Sequence, residues 1–348
     1  MEEQGGKKVS QIEHVISSLP VLVLFPHSRC DCRCLMCDIW RDLDVREISL
    51  DQLNTHLEAI RKLNVQWVVF SGGEPLMHSN LFALCDLLRD AEIRVTLLST
   101  GLLLKKFARE VATRTDGMIV SLDGPGSIHD QIRRVQGAFT QLSEGIADVR
   151  RHQPKYPFSC RTTVQRANIR YLRQSVAAAR NAGFESISFL AADVTSSAFN
   201  RPQGWSKARQ QQVALDSEEI ALLEEEMENL IQEHAVEIES GYIRESPEKL
   251  RRIIDHFRAH LGLLEPVSPK CNAPWVSAVI ESDGTVRPCF FHKGLGTIKE
   301  KSLLEVLNGP EAIQFRKEID IATDPICRRC VCSLHLPAGR LAGKSMPK

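Results

Sequence analysis

Four cysteines stand within eight positions, Cys30, Cys32, Cys34 and Cys37, in the stretch HSRCDCRCLMCDIW, and five more, Cys271, Cys289, Cys327, Cys330 and Cys332, gather near the other end of the chain. Thiols two or three residues apart are what metal ligation requires, because the ligands must converge on one centre. Cys30, Cys34 and Cys37 form a C-x3-C-x2-C set. Three thiolates from one loop can hold three irons of a [4Fe–4S] cluster and leave the fourth iron open to an outside ligand, which makes a cluster a catalyst. Zinc is the competing reading, since structural zinc wants four protein ligands and His27 or Cys32 could supply the fourth. Cys85 and Cys160 sit alone in apolar stretches and read as inert core cysteines.

The elements that must position these thiols follow from hydrophobic pattern. Near-continuous apolar or β-branched runs at 21–28, 66–73, 94–101, 117–124, 158–165 and 186–193 read as parallel strands covered on both faces. Helical patterns lie between them. In SLDQLNTHLEAIRKL (49–63), Ser49 and Gln52 make a capping box, and Leu53, Leu57 and Ile60 share a face. Six β-then-α units predict a parallel α/β structure, a partial barrel or an open sheet, and both place active sites at the carboxyl ends of the strands. The sequence after Asp193 is polar and irregular to about 216. A helix at 216–235 then carries Ile220, Leu223, Met227 and Leu230 as its apolar stripe, with an acidic face expected to be solvated. A second helix is expected at 247–261, and SAVIESDGTVRPCFF predicts a hairpin turning at Asp283-Gly284. The expected divisions are a lead-in at 1–20, a core at 21–193, a helical insert at 194–265 and a small cysteine-bearing domain at 266–348.

Further motifs fall on the strand ends. SGGEP (71–75) ends the second strand, where paired glycines allow close backbone approach to a ligand. STG (99–101) ends the third, SLDGP (121–125) the fourth, and HDQIRRVQGAF (129–139) follows. Together with the CLMCDIW continuation, these motifs resemble the radical S-adenosylmethionine (SAM) enzymes, in the subfamily with C-terminal auxiliary clusters. The resemblance implies a partial (β/α)6 parallel barrel and a three-cysteine [4Fe–4S] cluster on Cys30, Cys34 and Cys37 that binds SAM and cleaves it to a 5′-deoxyadenosyl radical. It implies that Gly72, Gly73 and Glu74 hold the SAM amino group, that Thr100 lies beside them, and that Ser121 and Asp123 face the nucleotide and its ribose. Arg161, on the fifth strand, is expected to point to the same site, where it could pair with the methionine carboxylate or make a structural ion pair. His129, Asp130 and Arg133 read as a local cap and ion pair that orders the loop.

Cys271, then Gly284 and Cys289 with four residues between the last two, resembles the opening of a SPASM domain. Only CRRCVC follows, so Cys271, Cys289, Cys327 and Cys330 are expected to ligate one auxiliary [4Fe–4S] cluster, as in the shortened twitch form. Cys332 is spare or an alternative ligand, and a zinc ribbon is the competing reading.

Such an enzyme would take one electron from a reductant such as a flavodoxin or ferredoxin, and would pass an electron from the substrate radical to the auxiliary cluster in a two-electron oxidation. The expected substrate is small, carbohydrate-like or another metabolite. The alternatives are peptide modification or epimerisation, and a non-catalytic electron carrier or zinc-stabilised binding module. Asp193, on the end of the sixth strand, is the candidate general acid or base. Lys+Arg and Asp+Glu both total 44, which gives no electrostatic case for nucleic acid or an anionic membrane. MEEQGGKKVS has no apolar signal region, and a cytoplasmic location without membrane association is expected.

Overall fold

The structure is a computed structural model, and it describes residues 14–337. Residues 1–13 of the expected lead-in and 338–348 of the expected C-terminal domain lie outside the described residues. The strands are β1 (Val21–Leu24), β2 (Trp67–Phe70), β3 (Arg94–Ser99), β4 (Met118–Ser121), β5 (Phe158–Val164), β6 (Ser186–Ala191), β7 (Ser277–Ile280), β8 (Thr285–Arg287) and β9 (Gly296–Thr297). They form one sheet in the order β6-β5-β4-β3-β2-β1-β7-β8-β9. Pairing is parallel from β6 through to β7, and β8 and β9 are antiparallel. The sheet does not close, so the fold is the expected partial barrel.

Each strand stops before its motif, so SGGEP, the end of STG and LDGP occupy the loops at the carboxyl edge. Strand coverage differs from the expectation in part. In β5 burial alternates residue by residue, because Phe158, Cys160 and Val164 pack under the helices while Ser159, Arg161 and Thr163 face the concave side. The polar inner face is a feature of β5; in β1 and β2 the residues opposite the helix-packed side are Val21, Val23, Trp67 and Val69, so those runs are apolar on both faces as expected. Cys85 and Cys160 are fully within the core, as expected.

Local signals for the helices hold. Ser49 caps Leu50–Thr55 with the Gln52 box intact, though a break at His56 divides this segment from Leu57–Lys62. Asp216 and Glu219 form a second capping box for Ser217–Glu233, whose apolar stripe is buried. Its acidic face is not simply solvated: Glu226 pairs with Arg173 at 3.0 Å, and Glu219 with Arg166 at 2.8 Å. The insert also covers the outer edge of β6, where Ile187 N donates to Tyr242 O and Arg244 N donates to Ile187 O, leaving that edge no free template for another chain.

The expected hairpin turns at Asp283-Gly284, where Gly284 has φ +89° and Asp283 Oδ1 accepts from Thr285 N at 2.9 Å. Its first strand, β7, lies parallel to β1 in register Val21↔Ser277 to Leu24↔Ile280, so the C-terminal hairpin prolongs the barrel sheet.

Candidate active site and iron–sulfur centres

The first cysteine loop follows β1 and is held from three directions. The SGGEP turn packs directly against it: Glu74 N donates to Arg29 O at 2.8 Å. A Cβ on Gly73 would lie 1.9 Å from that same carbonyl oxygen, and one on Gly72, at φ +94°, would strike the Phe25 ring. The two glycines are required by this backbone approach. From the second direction, the end of helix Gly126–Arg133 receives Arg33 N on Arg133 O at 3.2 Å and Leu35 N on Ile132 O at 3.0 Å.

The third support comes from the segment that reads as irregular in sequence. Arg201 is almost wholly buried; its Nη2 donates to Met36 O at 2.7 Å, and its guanidinium lies 3.8 Å from the centre of the Trp205 ring. Trp205 Nε1 donates to Asp38 Oδ2 at 2.6 Å, Asn200 Nδ2 to Asp38 O at 3.2 Å, and Arg209 to Leu35 O. Residues 200–209 thus strap the loop down, a role no local pattern announces.

Cys30 and Cys37 are half-buried, and Cys32 and Cys34 are buried. The Cys34 thiol is drawn down to about 7, first by a hydrogen bond from Cys32 and also by the Arg133 guanidinium, against the opposing effect of burial. Cys32 moves the opposite way through the same contact, while burial pushes Cys37 up to about 12. His27, the proposed alternative ligand, is engaged elsewhere: Nδ1 accepts from Arg29 N at 2.8 Å and Nε2 lies 3.4 Å from Glu47. Soft thiols on one loop, with a cation donating to one sulfur, suit an iron–sulfur cluster.

Around the loop stand the nucleotide candidates. Glu74 is fully buried and accepts from Leu76 N (3.0 Å), Ser99 Oγ (2.9 Å) and Thr100 N (2.7 Å). Burial, and then the Asp31 charge, raise it to about 7. Thr100 Oγ1 donates to Asp31 at 3.0 Å, so Asp31, between two of the cysteines, joins the cradle. Its place inside CDC was the only sequence signal. Asp123 is also fully buried; Oδ1 accepts from Thr163 N at 2.9 Å and Oδ2 lies 2.5 Å from Arg133 Nη2. Burial raises its carboxyl, with Arg133 and the Thr163 amide opposing. Asp123 N donates to His129 Nδ1, an imidazole that burial holds neutral by lowering it to about 3. Asp130 accepts from Gly137 N and Phe139 N, the expected local cap. Arg133 goes further than its expected ion pair, because Nη1 also donates to Cys34 Sγ at 3.3 Å.

Ser121 and Arg161 are register partners on adjacent strands, and Arg161 pairs in turn with Ser188, whose Oγ accepts from Arg161 Nε at 3.1 Å. Arg161 lines a cavity of about 1670 Å3 along the inner wall, which also touches Arg94, Ser159, His256 and Cys330. Asp193 is already committed: its carboxylate accepts from Thr195 N, Ser196 N and Ser196 Oγ, and pairs with Arg201 at 3.1 Å.

The second cysteine set converges across long sequence distances. The Cys289 and Cys271 charges bear on Cys327, Cys330 and Cys332 alike. Cys332 also feels Arg161 and Asp193, so it faces the barrel. Cys330 Sγ donates to Cys332 O at 3.0 Å, and His292 Nε2 lies 3.4 Å from Cys327 Sγ. The motif did not flag His292, which with Asp324 and Cys327 brings three ligand atoms within 4.8 Å of one another. Five thiols against one centre exceed the four that one closed cluster needs.

An open parallel barrel with a three-thiol loop at its carboxyl edge, and a second thiol set behind it, defines a class of iron–sulfur proteins with a nucleotide pocket. Residues 24–189 match the Radical SAM superfamily, and residues 271–331 match SPASM, an iron–sulfur cluster-binding domain. The chain belongs to the radical SAM superfamily, in the subfamily with a SPASM domain, and its centres are a SAM-binding [4Fe–4S] cluster and an auxiliary iron–sulfur site. Over 137 residues it is 34% identical to a pre-heme d1 synthase of Dinoroseobacter shibae, covering 38% of this chain and 34% of that protein. Over 140 residues it is 29% identical to an AdoMet-dependent heme synthase of Methanosarcina barkeri, covering 39% of this chain and 40% of that protein. The match therefore spans about a third to two fifths of these relatives. In fold, Streptococcus suis SuiB bound to S-adenosylmethionine superposes with TM-score 0.62 at 14% identity, over 92% of this chain and 74% of that one. The protein anSMEcpe with bound AdoMet gives 0.64 at 18%, over 89% and 82%. Among the described residues no helix is long and apolar enough to cross a membrane.

Proposed function

We propose that this chain uses SAM at the Cys30–Cys34–Cys37 centre to oxidise a small molecule by two electrons, the substrate lying in the barrel lumen and the second centre, on Cys271, Cys289, Cys327 and Cys330, receiving an electron. When bound, the first cluster supplies the electron that splits SAM into methionine and a 5′-deoxyadenosyl radical. The observation that carries this reading is the lumen cavity itself, whose wall includes both Arg161 on β5 and Cys330 of the second set. A substrate there would touch the auxiliary site at Cys330; most of the wall is the amino-terminal part of β2–β6, with Trp67, Arg94, Met118, Ser159 and Ser186, and Arg161 and Ser188 carry it towards the first centre.

The chain's own residues do the holding. Glu74, Thr100 and Asp31 form a carboxylate-rich cradle suited to an ammonium group, and Asp123 offers a buried acceptor for ribose hydroxyls. Arg161 faces the lumen, where its guanidinium suits a carboxylate of SAM or substrate. The loop's three supports exclude water and fix the thiols. Asp193 serves as an anchor for Arg201, which leaves the cavity-lining His256 as the better placed base. Burial lowers its imidazole to about 4, which keeps it neutral and makes it a weak base.

The names of the relatives point to a tetrapyrrole as the first substrate class to try, in place of a carbohydrate-like one. A cavity larger than the roughly 300–1,000 Å3 of ordinary ligand sites suits a macrocycle. The test is anaerobic incubation with SAM, dithionite and Fe-coproporphyrin III, with flavodoxin as the alternative donor. The expected result is 5′-deoxyadenosine together with a product lighter by hydrogen. Fully iron-loaded protein that forms no 5′-deoxyadenosine with any substrate class would overturn the radical reading. Turnover on a peptide alone would move the substrate assignment to the peptide class.

A further inference from the structure

Arg133 ends the helix Gly126–Arg133, and its side chain is buried between two groups that belong to different ligands. One prong, Nη1, donates to Cys34 Sγ at 3.3 Å; the other, Nη2, lies 2.5 Å from Asp123 Oδ2. The geometry is fixed at both ends. Arg134 turns left-handed at φ 56° and stops the helix, while the Arg133 and Ile132 carbonyls accept from the cysteine loop itself. Asp123 is pinned by Thr163 N through its other oxygen.

We propose that Arg133 is a positioning residue that couples the nucleotide pocket to the cluster: it hydrogen-bonds the Cys34 sulfur and raises the cluster's reduction potential, and it does so more strongly when the nucleotide engages Asp123. This rests on the reading of Cys34 as a cluster ligand. Hydrogen bonds to cluster sulfurs and nearby positive charge favour the reduced, more negative state. A guanidinium shared between a carboxylate and a thiolate divides its charge between them. When ribose hydroxyls donate to Asp123, the carboxylate's pull on Arg133 weakens and the sulfur gains. Coupling of this kind is reciprocal, so reduction of the cluster also tightens nucleotide binding. Lysine keeps the charge but cannot span both partners.

The test is an anaerobic redox titration of the reconstituted full chain, followed by electron paramagnetic resonance with and without SAM, on wild type, Arg133→Met, Arg133→Lys and Asp123→Asn. The SAM-induced spectral change identifies the first cluster. Arg133→Met is expected to disfavour reduction at least tenfold, which is about 60 mV for one electron. Arg133→Lys should recover part of that loss without recovering the SAM-dependent shift. Asp123→Asn should keep the potential high and lose the shift. If Arg133→Met does not hold iron, Arg133→Lys alone decides: a wild-type potential with a wild-type SAM shift overturns the coupling. Iron-loaded Arg133→Met with an unchanged potential overturns it as well. A SAM-sensitive cluster that survives in Cys34→Ser would instead refute the ligand reading beneath it.

Discussion

The first thiol set comes from one loop, whereas the second draws Cys271 and Cys289 from either side of a hairpin and Cys327, Cys330 and Cys332 from a segment beyond it. The first loop is gripped by protein before any metal binds: by the SGGEP turn, by the end of helix Gly126–Arg133 and by the strap at 200–209. The second set has its own grips, made across a longer span of chain. Asn272, beside Cys271, receives Leu336 N at 3.0 Å and donates to Leu334 O and Leu336 O, and Arg252 donates to Cys330 O at 3.1 Å. Closing a loop of this length costs entropy that grows with the logarithm of its size, and a metal bound across it repays that cost only when present. One site is preformed and open for chemistry; the other also staples the chain. Five measurements break or sharpen this contrast.

Cys34→Ser carries the largest expected effect: about four of about eight irons are lost, SAM cleavage falls to background, and the thermal midpoint stays within a few degrees because the loop is held without metal. A collapse of the whole fold would show that the first site is a staple too. Cys289→Ser is expected to lose a similar amount of iron while SAM cleavage continues uncoupled from product, and limited proteolysis should now cut within 265–337. Unchanged protease resistance there would remove the staple. Arg201→Ala strips the partner from buried Asp193 and the stack from Trp205, at a cost of about 3–5 kcal/mol. Chemical denaturation measures it, and iron should leak from the first site faster than from the second.

Next is a pH effect on the cradle. Burial lifts Glu74 to about 7, so the folded chain holds this proton more tightly than the unfolded one does. Its ionisation therefore costs stability as pH climbs through about 7, and an ammonium bound beside it gains over the same range. Equilibrium dialysis should show SAM affinity rising up to about tenfold between about pH 6 and about pH 8. In Glu74→Gln the affinity should stay low and flat. The smallest effect is Cys332→Ser, expected to keep about eight irons because four other thiols complete the second site. Loss of about four would make Cys332 a ligand and release Cys327 to its His292 partner.

What the sequence disclosed was local. The glycines of SGGEP and the SLDGP loop lie within a few residues of a strand end, and Cys30, Cys34 and Cys37 share the one loop that follows β1, so pattern and place coincide. The barrel class followed from six repeated units. The hidden parts depend on contacts far apart in the chain. Arg201, Trp205 and Arg209 sit in a stretch without periodicity, and their partners at 35–38 lie more than 160 residues away. The pairing of β7 with β1 is equally remote. Arg133 lay inside a recognised motif, yet its bond to Cys34 crosses between loops and could not be read from spacing. The acidic helix read as solvated because Arg166, in the turn after β5, and Arg173, on the following helix, are invisible to a window of one helix.

The place of β1 between β2 and β7 also sets an order of events at the ribosome. At roughly 5–20 residues per second, Ser277–Ile280 emerges tens of seconds or less after Val21–Leu24. Through that interval the strand that leads into the cysteine loop has one hydrogen-bonding side filled and the other bare. The nascent barrel thus offers a temporary, accessible margin beside the first thiols, which closes when the hairpin docks. Cluster insertion during that window would meet a loop already shaped by β2 and its turn but not yet walled in.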